Sequence, residues 1–148
     1  MANITSSTIS AVLAAAFPKT NSTLASTSLV IPIPASRTFI GNAYFPFNVT
    51  TGAGVKFQFN MGGAATVYLV TFELYDTEAG NFNFTDQLEA EASFGFVPAG
   101  LGNLYIKSSI SITNGVTPTN LTLQFAQNTT DATASILLAG SYIAGIIV

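Results

Sequence analysis

The chain has 148 residues, 49% of them hydrophobic and only 7% charged, with a net charge of −3 and neither Cys nor His. Soluble domains ordinarily carry about 25% charged residues, so this one covers its outside with uncharged Ser, Thr and Asn, or with other protein. Lacking Cys and His, it can form no disulfide, thiolate metal site, His-containing zinc site or Ser-His-Asp triad; the expectation is a component of an assembly, not an enzyme.

Residues 1–28 stand apart as a Ser/Thr-rich segment holding one short apolar stretch, Ile9 to Phe17. That stretch predicts about two helical turns, capped by Ser6 or Ser7 and stopped by Pro18. The segment reads as an extended N-terminal arm whose Ile9, Val12, Leu13 and Phe17 are candidates for contact with a neighbouring subunit. Its apolar core resembles that of a signal peptide, but no positive charge precedes it and Pro18-Lys19 stands where a small-residue cleavage site belongs.

From Leu29 the texture becomes that of strands, and residues 29–148 form one domain. Pro32 and Pro34 bracket Ile33, which suits an edge strand or a linker. Candidate strands then run from Arg37 to Val49, Val55 to Met61, Thr66 to Tyr75, Gln87 to Phe96, Leu104 to Ile112, Leu121 to Ala126, and Leu137 to Val148. Three of them alternate cleanly, as in Leu104, Ile106, Ser108, Ile110 and Ile112 against Tyr105, Lys107, Ser109 and Ser111. Turn clusters such as Thr50 to Gly54, Gly62-Gly63 and Asn114 to Pro118 separate them. This pattern predicts an all-β protein, a single antiparallel β-sandwich of jelly-roll type. The aromatic residues of the strands, Tyr44, Tyr68 and Tyr75 with the phenylalanines, are read mostly as core and not as a stacking platform for bases or sugars.

Asp76, Glu78, Asp86, Glu89 and Glu91 crowd together, with Glu73 just before them. The pattern matches neither a calcium loop nor a glycosidase pair, and its plain reading is a solvated hairpin that keeps a sheet edge from pairing. Lys19, Arg37, Lys56 and Lys107 are scattered singly, so the chain lacks the basic patch that nucleic acid requires. Gly62-Gly63 and Gly52-Ala53-Gly54 are turns, since no lysine and helix follow as a phosphate loop demands. Six Asn-X-Ser/Thr sequons, at Asn3, Asn21, Asn48, Asn83, Asn120 and Asn128, follow from the composition. Ala132 to Val148 is uncharged and apolar but interrupted by glycine and short of the roughly 20 residues of a spanning helix, so it reads as a core strand and not a membrane tail.

The segment Leu121-Thr122-Leu123-Gln124-Phe125-Ala126-Gln127-Asn128-Thr129-Thr130-Asp131-Ala132-Thr133-Ala134, followed by Ala139-Gly140-Ser141-Tyr142, resembles the C-terminal signature of small structural proteins of tailed bacteriophages, of the capsid decoration (cement) type. Pro34 to Phe39 and Lys107 to Ile110 are similar to earlier pieces of that family in the same order. The resemblance implies a β-sandwich on the capsid exterior of a virion, a homotrimer bridging copies of the major capsid protein, with no cofactor and no catalysis. Phe125 and Tyr142 stand where the family often has Trp, and an apolar Ala144-Gly145-Ile146-Ile147-Val148 replaces a basic tail. That ending makes Tyr142, Ile143, Ile146 and Ile147 candidates for a trimer interface. Two alternatives stay open: a head or tail fibre module that binds host glycans, and a secreted pilin-like filament subunit whose N-terminal stretch inserts into the next copy.

Overall fold

A computed structural model describes residues 6–49, 52–76, 82–97 and 103–148, with the side chains of residues 76, 82–85 and 103 left undescribed. The described residues form twelve strands: β1 (Ser7–Val12), β2 (Phe17–Lys19), β3 (Ala25–Ile33), β4 (Thr38–Asn48), β5 (Val55–Asn60), β6 (Ala65–Asp76), β7 (Phe82–Leu88), β8 (Phe94–Phe96), β9 (Asn103–Asn114), β10 (Thr119–Ala126), β11 (Ser135–Leu137) and β12 (Tyr142–Ile147). They form two antiparallel sheets, the sandwich that the alternating pattern predicts. The larger has eight strands in the path β1-β12-β4-β9-β6-β7, with β11 pairing both β2 and β4; the smaller runs β3-β10-β5-β8. Among the described residues, only β6 and β7 are hydrogen-bonded neighbours that also follow one another in sequence.

Between the sheets lies a phenylalanine core. Phe45 of β4 stacks on Phe57 of β5 at 5.8 Å, Phe59 of β5 on Phe72 of β6 at 5.8 Å, and Phe72 on Phe94 of β8 at 4.9 Å. These contacts tie one sheet to the other, and each buried ring stabilises the fold by about 1.5–3 kcal/mol. Tyr68 is the tyrosine of this core; its hydroxyl donates to the Phe59 carbonyl at 3.1 Å. Burial, followed by the charge of Glu91, pushes its ionisation well above the ordinary tyrosine range.

Two glycines thin the large sheet where it needs room. Gly41 of β4 and Gly145 of β12 are paired in register, and the fully buried Phe39 ring lies against both. A Cβ on Gly145 would collide with the Ile40 carbonyl, the Gly41 Cα and that ring. Across from them, β3 bulges where Thr122 and Gln124 of β10 pair Val30 and Ser26. The buried Thr27 hydroxyl settles the irregularity, donating to the Leu123 carbonyl at 2.9 Å and accepting from the Leu29 amide at 3.1 Å.

Three expectations are corrected. Residues 9–17 form no helix: Ser7–Val12 is a strand paired along its whole length with β12, from Ser7 opposite Ile147 to Val12 opposite Tyr142. Ile9, Ala11 and Leu13 pack on the core, so this segment follows a period of two. A two-turn helix is marginal alone, whereas the free edge of β12 offers a full ladder of partners. The segment Gln87 to Phe96 is not one strand but the end of β7, a bend and β8. The closing run divides into β11 and β12 at a turn where Gly140 takes φ 86°.

Candidate interaction surface

The outward side of the large sheet is built from registered rows. One row runs Thr8, Ile146, Ile40, Ser111, Leu69 across β1, β12, β4, β9 and β6. The next runs Ser10, Ala144, Asn42, Ser109, Thr71 and Gln87, and the third Val12, Tyr142, Tyr44, Lys107 and Glu73. Beyond it Tyr105 lies opposite both Pro46 and Tyr75. The face therefore has an aliphatic end, a middle strip of small polar side chains, and a tyrosine end.

Val12, Ile40, Val67, Leu69 and Tyr142, five of the seven exposed large hydrophobics among the described residues, point from this face. A hollow of about 420 Å³ at its aliphatic end is lined by Ile40, Leu69, Ile146 and the polar strip. A larger opening of about 820 Å³ lies at the end of the sandwich, between Ile9, Pro32, Pro34, Met61, Pro118 and Ile147. Among the described residues its lining holds no ionisable side chain.

The candidate contact residues divide between core and surface. Leu13, Ile143 and Ile147 are buried, and Ile9 and Phe17 pack on the core from its margin. Phe17 meets the Phe125 ring edge-on at 6.4 Å. Val12, 61% exposed, and Tyr142, 40% exposed, face outward, with Ile146 half-buried at the aliphatic end of the same face. The arm's apolar side chains thus serve their own sandwich, Val12 excepted. The two ends of the described chain are brought together along β1 and β12.

Tyr44 and Tyr75, read from the sequence as core, stand on the outer face, and Tyr105 and Tyr142 join them there. Strand β4 carries aromatic residues in both phases, so periodicity alone does not sort them; the hydroxyl does, because a tyrosine keeps its polar tip wet. The Tyr75 hydroxyl donates to Glu73 Oε2 at 3.0 Å, and that bond raises its ionisation above the ordinary tyrosine value. Lys107 Nζ sits 5.1 Å from the centre of the Tyr75 ring and 5.8 Å from that of Tyr105.

The acidic group is also dispersed. Glu91 is a turn cap: its Oε1 accepts from the amides of Met61 at 2.8 Å and Gly62 at 3.1 Å, and its Oε2 from Gly63 at 2.9 Å. Glu89 is exposed and Asp86 partly so, while Glu78 lies outside the described residues. Among the described residues no three Asp or Glu come together to hold a metal ion, and none forms a helix long and apolar enough to cross a membrane. Of the sequon asparagines, Asn21, Asn120 and Asn128 are exposed, whereas the side-chain oxygen of Asn48 is buried.

The segment that resembles the phage signature works as a loop clamp. Buried Gln127 donates from Nε2 to the Thr133 carbonyl at 2.7 Å and accepts from the Asp131 amide at 2.8 Å. Asp131 accepts from the Thr133 amide at 2.7 Å, and the Ser135 hydroxyl donates to the Gly54 carbonyl at 3.0 Å. These bonds hold the connection from β10 to β11. Comparison with family models, with curated proteins and with solved structures returned no match.

Proposed function

We propose that this protein is a structural subunit of a virion, decorating the exterior of a phage capsid as a homotrimer that bridges neighbouring copies of the major capsid protein. The observation that supports this most is the gathering of exposed aliphatic side chains, Ile40, Val67 and Leu69, on one outer face of a chain with very little charge. Such a surface on a monomer is an association site, and closed cyclic symmetry buries it without leaving an open end. The resemblance over residues 121–142 points to the capsid as the place of assembly. Repeated weak contacts from one trimer then add through effective concentration, and no reaction is required.

The test is the mass of the purified chain by light scattering, where three times the 15.4 kDa subunit is expected. A stable monomer at micromolar concentration overturns the trimer. Reconstruction of particles incubated with the protein then reads the second half of the proposal, with density expected on the outer capsid surface.

A further inference from the structure

We infer that the tyrosine end of the large sheet's outer face is a binding platform for a neutral carbohydrate. Tyr142, Tyr44, Tyr105 and Tyr75 form one row of rings over four strands, with successive centroids 6.0, 5.3 and 5.0 Å apart. The chain has five tyrosines, and these four are gathered in one place while the fifth, Tyr68, is in the core. Solvation of a hydroxyl explains why tyrosine and not phenylalanine faces water; it does not explain why four of them adjoin.

The polar groups among the rings specify the ligand. A hollow of about 200 Å³ is lined by Asn42, Tyr44, Glu73, Lys107, Ser109 and Tyr142. It offers an amide, a carboxylate, an ammonium and hydroxyls side by side, the donors and acceptors that a polyhydroxylated ring needs along its rim. Glu73 and Lys107 are opposite one another in register, so their charges cancel locally. A neutral ligand is matched by that balance, whereas a phosphate chain is not, since Lys107 is the one cation in the row and the chain is acidic overall. The position of Lys107 against the Tyr75 and Tyr105 rings leaves those faces to a cation already held within the protein. An apolar sugar face laid on Tyr44 and Tyr142 would complete the row. The platform is shallow, so each site binds weakly and an oligomer binds a polymeric glycan by multiplicity. This activity is separate from self-association, which the aliphatic end of the same face serves.

The experiment is native affinity electrophoresis of the full chain in gels holding dextran, mannan or a soluble galactan, with alginate as the anionic control. At least one neutral polysaccharide is expected to retard the wild-type protein. Tyr142→Ala and Tyr44→Ala should weaken that retardation at least tenfold, while Tyr142→Phe retains it and Ile40→Asn leaves it unchanged. Thermal unfolding of each variant confirms that the fold persists. Absence of retardation in all three neutral gels overturns the inference, as does retardation that survives both alanine variants or appears in alginate alone. None of these outcomes bears on the mass measurement above, so the two proposals fail separately.

Discussion

The two outer faces of the sandwich solve the same shortage of charge in opposite ways. On the small sheet, Ser26, Ser28, Gln58, Asn60, Asn120, Thr122 and Gln124 form a coat of amides and hydroxyls around Lys56. These side chains also bond one another, Asn60 to Gln124 and Gln124 to Ser26, each at 3.4 Å. On the large sheet, aliphatic side chains at one end and tyrosines at the other flank a strip of small polar groups. One face is satisfied by water and by itself, and the other is left wanting a partner. Charge is therefore a poor guide to where a protein like this makes contact, and the kind of uncharged residue is a good one.

The strongest way to break the comparison is to place a charge on each face. Leu69→Asp should abolish self-association by light scattering, because an unpaired carboxylate would be buried in the contact, while Thr122→Asp on the small sheet leaves the mass unchanged. Equal behaviour of the two variants would remove the distinction between the faces.

The remaining predictions test what builds the two faces. Gly145→Ala forces a Cβ into backbone at the β4–β12 seam and should cost about 3 kcal/mol of stability in denaturant unfolding. Glu91→Ala strips the Met61 and Gly63 amides of their acceptor and leaves the Gly62 amide to Asn60 Oδ1 alone; a loss of about 2 kcal/mol is expected at neutral pH. Tyr68→Phe gives the smallest change at neutral pH, about 1 kcal/mol for one hydrogen bond.

Tyr68 also gives the protein an alkaline limit. Its folded pKa lies above that of the unfolded chain, about 10, so the folded state holds the proton longer. The stability linked to it is complete below about pH 10 and falls as pH rises above that value towards the folded pKa. Unfolding midpoints of Tyr68→Phe should decline less steeply than those of the wild type across that alkaline window; parallel curves would show that Tyr68 is not the linked group.

Much of the fold was legible from local pattern. Strand β9 alternates so cleanly that Ile106 and Ser109 could be assigned to opposite faces without a structure, and Pro32 suited an edge strand or a linker, of which β3 is the edge. The N-terminal strand was not legible, because a short apolar run has no period of its own and took its form from the edge of β12. Glu91 was hidden for a related reason: its partners are roughly thirty residues earlier, and nothing local distinguishes a capping carboxylate from a solvated one.

What the sequence determined by itself is the class of solution: all-β, free of Cys and His, and nearly free of charge. Composition and alternation carry that information, since each depends only on residues close in the chain. Tertiary structure alone decided that Val12 lies beside Tyr142, and that four tyrosines from four strands form one row. In an antiparallel sandwich nearly every neighbour is distant in sequence, so the surfaces on which function depends arise only when the strands are laid in register.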